Sequence, residues 1–261
     1  MHTIRLLIEY DGANYIGWQW QPEGASLQKT IEEAIEQVVG LPVRLHSSGR
    51  TDAGVHAKGM VAHFRIEKLL SMGAYREGVN HFLPRDIAIL SAKEVSADFH
   101  ARFSAVGKWY RYTIWQGEVR SPLLSGRYWQ VRKELDVELM RRSISTFLGQ
   151  HDFSAFRSSG CAATTTEREI VGVEIIEEPG VIHIDIAGSG FLRNMVRIIV
   201  GTVVEIGLGQ RPIGTISELL ESGQRGGSGV TAPAAGLCLM QVWYEMNLDV
   251  MKECFISREN P

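Results

Sequence analysis

A carboxylate and a guanidinium two residues apart, on a glycine-punctuated loop, are the most chemically suggestive feature of this 261-residue chain. The stretch is His46-Ser47-Ser48-Gly49-Arg50-Thr51-Asp52-Ala53-Gly54-Val55-His56. In extended backbone Arg50 and Asp52 project to one side. Gly49 and Gly54 allow positive φ or close approach of another segment. Such a pair suits a site acting on an anionic substrate. The same aspartate equally fits a hydrogen bond that closes its own turn, so the loop alone leaves both readings open.

Two further groups could join it. Arg193 and Arg197 are four apart, which places them on one face of a helix, and Phe191, Met195, Ile198, Ile199 and Val203 supply an apolar face. An arginine in such surroundings needs an anionic partner if it is buried. Asp52 is a candidate; arginines binding phosphate or water at the surface are the alternative. In the aromatic run Lys108-Trp109-Tyr110-Arg111-Tyr112, Tyr110 could stack on a base, with Lys108 and Arg111 near backbone phosphates. The alternative is an aromatic that simply packs within a strand.

Other chemistries lack their signatures. There is no P-loop and no nucleophile-elbow serine. Gly188-Ser189-Gly190 lacks the third glycine and the parallel β-α-β context of a dinucleotide turn. The eight histidines are scattered, and Cys161, Cys238 and Cys254 show no CxxC spacing, which argues against a zinc site or a disulfide framework and fits a reducing compartment. No apolar run approaches a membrane span, and the first residues alternate like a strand rather than a signal peptide. The expected location is the cytoplasm. Net charge is −3, but residues 102–142 hold nine Lys/Arg against four Asp/Glu, while 143–261 hold eight against fourteen. A basic middle can bind phosphates in an acidic protein; a solvated helix face would give the same count.

The elements that must position these residues follow from periodicity. Strand alternation marks Thr3–Tyr10, Val43–Leu45, Met60–Ile66 and Ile87–Val95. Between them, Leu27, Ile31, Ala34, Ile35 and Val38 fall at helical spacing after Ser26, and a second helix is expected over Met72–His81. The second half reads as a strand from Lys108, a helix over Asp136–Leu148, a loop over 151–167, a hairpin of Arg168–Glu177 and Val181–Ala187, a helix from Phe191 to Ile206, a short helix at Ile213–Glu221 and a last strand, Gly236–Glu245. Each half thus has the order β-α-β-β-α-β. The fold expected is α+β: two ferredoxin-like halves, 1–104 and 105–261, sharing an extended antiparallel sheet with a central cleft.

Gly49-Arg50-Thr51-Asp52-Ala53-Gly54-Val55-His56-Ala57 resembles the signature of the tRNA pseudouridine synthase A family. It is joined in that family's order by Tyr10-Asp11-Gly12, Gly17-Trp18-Gln19, Leu83-Pro84-Arg85-Asp86-Ile87, Phe99-His100-Ala101-Arg102, Lys108-Trp109-Tyr110-Arg111-Tyr112, Phe147–Phe153, Gly190–Arg197, Thr231-Ala232-Pro233 and Gly236-Leu237. The resemblance runs from Leu6 to Tyr244. Trp20, Trp109 and Cys238 depart from it beside matched positions and put fine substrate contacts in question.

The resemblance implies isomerisation of uridine to pseudouridine at positions 38, 39 and 40 of the tRNA anticodon stem-loop, by a homodimer using no cofactor and no metal. It implies Asp52 as the essential carboxylate and Arg197 as its partner. Arg50 would contact the RNA backbone, Tyr110 would stack on the uracil and is a candidate for proton transfer at C5, and Leu237 would line the base's other side. Two rivals stand beside it. A non-catalytic RNA-binding protein needs neither Asp52 nor a buried arginine. A glycoside-cleaving enzyme usually needs two carboxylates, and Asp11 reads only as a turn residue.

Overall fold

Apolar residues at every second position build the first strand, β1 (His2–Tyr10), with Ile4, Leu6, Ile8 and Tyr10 buried. The computed structural model describes residues 1–158, 160, 163–244 and 247–257. In chain order there follow α1 (Leu27–Val39), β2 (His46–Ser47), β3 (His56–Ile66), α2 (Val79–Phe82), β4 (Ile87–Val95), β5 (Ala105–Gln116), β6 (Trp129–Val131), α3 (Val137–Ile144), β7 (Gly149–Asp152), β8 (Glu167–Glu178), β9 (Val181–Gly188), α4 (Met195–Gly207), α5 (Thr215–Ser222), β10 (Leu237–Tyr244) and α6 (Leu248–Ser257). The class is α+β. The chain divides into two compact units, one of Met1–Ala105 with Cys238–Glu245, the other of Val106–Leu237 with Met246–Pro261.

In the first unit the strand order is β4-β1-β3-β10, with β2 also on β3. β1 runs antiparallel to β3 and β4. β10 lies parallel to β3, Cys238 opposite His56 and Leu239 opposite Ala57. The sheet expected to be antiparallel is mostly so, and this parallel pairing makes it mixed. α1 buries Leu27, Ile31, Ala34 and Ile35, and ends where Gly40 turns left-handed at φ 78°. A π turn over Ala74–Gly78 leads into α2.

The strand expected at Val43–Leu45 is displaced to His46–Ser47. The reason lies in α1: Glu32 Oε1 accepts from Leu45 N–H at 2.8 Å, and Gln28 Nε2 donates to Leu45 O at 3.2 Å. Helix side chains satisfy the backbone groups that a ladder would otherwise take.

In the second unit the order is β5-β9-β8-β7, with β6 parallel to β5. The β8–β9 hairpin turns at Gly180, φ 74°, where Glu178-Pro179-Gly180 is read as a turn. α3 starts at Asp136, whose carboxylate accepts from Leu139 N–H at 2.8 Å, and its Met140 is buried against Gly207 of α4. β6 and β7 are two short strands where the sequence reading assigns none, the end of β7 falling in the loop expected over 151–167. α4 begins at Met195 rather than Phe191, because Leu192 and Met195 close a turn and Asn194 sits at φ 61°. Arg193 therefore lies before the helix, and the expectation that Arg193 and Arg197 share a helix face is corrected. Cys161 and Glu245 lie outside the described residues.

Candidate active-site loop and its counterparts

The Asp52 loop sits between β2 and β3 and is held from both sides by the segment after β1. Asp52 to Val55 is a tight turn: Val55 N–H donates to Asp52 O at 3.2 Å, and Gly54 occupies its third position at φ 77°. A left-handed third residue favours glycine there. Upstream, the Tyr10 hydroxyl and Thr51 Oγ1 are hydrogen bonded at 2.8 Å, and Trp18 N–H donates to Thr51 O at 3.0 Å. Downstream, Gly54 N–H donates to Tyr15 O at 3.3 Å, and Gly12 N–H donates to His56 Nδ1 at 3.1 Å. A Cβ on Gly12 would fall 2.0 Å from Val55 O, so only glycine fits this approach.

That frame is itself anchored. Asp86 O accepts from Asp11 N–H at 2.8 Å, and its carboxylate accepts from Tyr15 Oη at 2.7 Å and from Asn14 Nδ2 at 3.2 Å. Burial and the Asp86 carboxylate push the Tyr15 phenol well above its ordinary value, so it stays protonated and donating. Three segments that sequence places far apart, Tyr10–Trp18, Gly49–His56 and Leu83–Ile87, thus form one hydrogen-bonded network. Within it Thr51, Val55 and His56 are buried, Asp52 is half-buried and Arg50 is exposed. A fixed backbone with a partly open carboxylate can present that group reproducibly, which covalent or acid–base chemistry requires.

Sequence reasoning missed two parts of this frame. Asp11 is linked to the loop through His56: its Oδ1 lies 3.0 Å from His56 Nδ1 and accepts from Ala13 N–H at 3.0 Å. The only available signal was the polar His56 at the head of an apolar strand. The second is a histidine cluster at the loop's entrance. The rings of His46, His63 and His100 lie 4.8–5.6 Å apart. His63 is buried, accepts from Ala101 N–H, and is pushed down to about 4 by burial and then by His100 and His46.

The remaining expected site residues belong to the second unit, so Asp52 and Arg50 are described apart from them. Tyr110 of β5 is buried, its ring 5.1 Å from Phe191 in edge-to-face geometry. Arg197, in the first turn of α4, is half-buried. Its Nε donates to Ala232 O at 2.7 Å and its Nη1 to Asn194 Oδ1 at 2.9 Å, while Ala232 N–H donates back to Arg197 O. These bonds tie the Thr231-Ala232-Pro233 segment to α4. Beside them the Tyr112 hydroxyl donates to Pro233 O at 2.8 Å. Burial raises the Tyr112 phenol strongly, against the opposing pull of the Arg197 charge. Leu237 is buried at the head of β10.

By alternation along β5, Lys108 shares the Tyr110 face and is half-buried, whereas Arg111 lies on the opposite face and is committed. The Arg111 Nε and Nη2 donate to the two carboxylate oxygens of Asp185, each at 2.8 Å. The two residues stand opposite one another across β5 and β9, and the Asp185 side chain is wholly buried. That pairing raises the Arg111 pKa, chiefly through the Asp185 hydrogen bond. Asp185 went unnoticed in sequence, although an aspartate inside Val-Ile-His-Ile-Asp-Ile-Ala is the kind of buried charge that requires a partner. Among the described residues no group of three or more His, Cys, Asp or Glu could hold a metal ion, and no helix is long and apolar enough to cross a membrane.

A family model described as tRNA pseudouridine synthase matches residues 6–104 and 144–245. The chain belongs to the tRNA pseudouridine synthase family. Among curated members, the tRNA pseudouridine synthase A of Syntrophotalea carbinolica is 57% identical over 94% of this chain and 97% of that protein. The one from Citrifermentans bemidjiense is 49% identical over 95% of this chain and its own full length, and the one from Acetivibrio thermocellus 47% identical over 94% of this chain and its full length. A chain of the solved structure "Crystal Structure of a Cbf5-Nop10-Gar1 Complex" aligns at a TM-score of 0.34 with 11% identity, over 97% of this chain and 66% of that one, a likeness too slight to build on. The family model covers the Asp52 loop, its frame, Arg197 and Leu237, and passes over 105–143, where Lys108, Tyr110 and Arg111 lie.

Proposed function

We propose that this synthase isomerises uridine to pseudouridine in the anticodon stem-loop of tRNA, at positions 38, 39 and 40, with Asp52 as the essential carboxylate. The observation that carries the reading is the Gly49–His56 loop. It lies within the span matched by the tRNA pseudouridine synthase model, and its backbone is tied on both sides of Asp52.

The reaction breaks the uridine N1–C1′ bond, turns the uracil, and forms a C5–C1′ bond. A proton leaves C5 and one arrives at N1, so nothing is consumed. A base inside a stem must first be flipped out, at a cost of a few kcal/mol. Stacking on Tyr110 offsets about 1–3 kcal/mol of that. In this reading Arg197 is the partner that keeps Asp52 charged, Leu237 lines the base's other side, and the Tyr110 hydroxyl carries the C5 proton. Arg50, exposed beside Asp52, and Lys108 meet the RNA backbone. Arg111, its fork filled by Asp185, holds the strand that bears Tyr110 and Lys108 instead of reaching phosphate. The protein acts as a homodimer in the cytoplasm, without metal or cofactor.

The test is Asp52→Asn, which keeps the shape of the side chain and removes its charge. Mapping of modified uridines in tRNA is expected to show no pseudouridine at positions 38–40 with the variant, while tRNA binding persists. Turnover near the wild-type rate would overturn the assignment of Asp52. Modification confined to other tRNA positions would overturn the target.

A further inference from the structure

His56 stands at the far end of the Asp52 turn in an arrangement that packing alone does not demand. Its side chain is 9% exposed, and Nδ1 lies 3.1 Å from Gly12 N and 3.0 Å from Asp11 Oδ1. One ring nitrogen cannot serve both neighbours at once. Unprotonated, it accepts from the Gly12 N–H; carrying a proton, it donates to the Asp11 carboxylate. Either way the imidazole joins residues 11–12 to a position four residues beyond Asp52. The Asp11 carboxylate is itself fixed, since it also accepts from Ala13 N–H.

The geometry points to His56 and Asp11 as positioning residues for the Asp52 carboxylate, an inference that rests on Asp52 being the catalytic group. Upstream of Asp52 the backbone is held at Thr51 by Tyr10 and Trp18. Downstream it is held at Gly54 by Tyr15. The strand end at residue 56 is held by the β3 ladder, with Cys238 opposite His56 and Tyr10 opposite Ala57, and the His56 side chain adds a tie from there to residues 11–12. The tight contact of Gly12 with Val55 O sits between these bonds, so losing the His56 tie lets that contact open and the turn carrying Asp52 shift. A catalytic group displaced by about 1 Å can lose on the order of a hundredfold in rate. Substrate affinity, spread over many phosphate contacts, is little affected by such a shift.

The experiment compares His56→Asn, His56→Gln and His56→Leu in the full-length protein. Asparagine places an amide atom where Nδ1 stands, whereas glutamine places it one bond farther out. His56→Asn is expected to keep the single-turnover rate within about threefold of wild type. His56→Gln and His56→Leu are expected to lose roughly ten- to a hundredfold, with the tRNA dissociation constant within about threefold of wild type.

Full activity in His56→Gln or His56→Leu, a slow His56→Asn, or a rate loss matched by weaker tRNA binding would each overturn the inference. Should the histidine variants not fold, Asp11→Ala serves, because Asp11 is more exposed. A slower rate with unchanged binding supports the assignment, and an unchanged rate refutes it. Asp52→Asn in the same assay separates the two claims. If Asp52→Asn is inactive while His56→Gln is fully active, only the positioning role falls; if Asp52→Asn turns over normally, the reading beneath it falls.

Discussion

The Arg111–Asp185 pair decides whether a basic residue of β5 serves the fold or the RNA, and its energetics can be worked out from its surroundings. The Asp185 side chain is 0% exposed and that of Arg111 23%, with two parallel 2.8 Å hydrogen bonds between them. Arg111→Met removes both bonds and strands a carboxylate with no water to solvate it. Breaking a buried pair in this way costs about 3–5 kcal/mol, a large part of the roughly 5–15 kcal/mol that stabilises a native protein. The thermal midpoint of the unit should fall by about 6–20 °C. Asp185→Asn is milder, because it keeps the volume and leaves a guanidinium that already touches solvent. The double variant Arg111→Met with Asp185→Leu replaces the whole pair by apolar groups and should recover to near wild type. Urea and thermal unfolding of the four proteins give this ranking directly. The logarithmic salt dependence of tRNA binding should be unchanged in the double variant. A slope lowered by about one unit would make Arg111 a phosphate ligand. Either that result, or an Arg111→Met cost below about 1 kcal/mol, would refute the reasoning.

Two further outcomes are expected. Tyr110→Phe keeps the ring and its contact with Phe191, so tRNA binding should hold while single-turnover product formation slows; an unchanged rate rejects the hydroxyl as carrier of the C5 proton. His63 is depressed to about 4 in the fold against about 6.5 unfolded. Between those values the unfolded chain binds a proton that the folded one refuses, so its contribution is complete above about pH 6.5 and is lost as pH falls toward 4, by at most about 3 kcal/mol. His63→Asn keeps an acceptor for Ala101 N–H and should flatten that acid limb of the stability curve; an identical limb in both proteins would show that the histidine cluster does not govern it.

Most of the fold was legible because its elements are strongly periodic. β1, α1 and the β8–β9 hairpin sit where alternation, helical spacing and a Pro-Gly turn place them. What was not legible depended on partners distant in sequence. Val43–Leu45 has a strand pattern, but Gln28 and Glu32 of α1 claim Leu45. Phe191–Asn194 continues the helical pattern of α4, yet Asn194 adopts a left-handed conformation and Ser158 N–H binds Arg193 O. β6 and β7, three and four residues long, carry too few positions for a period to show. The parallel contact of β10 with β3 joins segments about 180 residues apart, beyond any local signal.

The candidate site divides in the same way. Asp52, Arg50 and the glycines around them could be picked out by residue type, because a loop with that content stands out between apolar strands. Asp11 could not, since its part depends on a histidine 45 positions later. Its structural position also bears on the glycoside-cleaving alternative. That chemistry needs a second carboxylate facing the scissile bond, and Asp11 was the nearest candidate in the reading. Its Oδ1 is directed instead to the Ala13 N–H and to His56 Nδ1, with its own N–H on Asp86 O. A carboxylate committed to its turn and to an imidazole is poorly placed to deliver a proton to a leaving group. Asp52 is half-buried on a turn whose backbone is tied on both sides, and the Asp52→Asn experiment is what tests the single-aspartate reading proposed above.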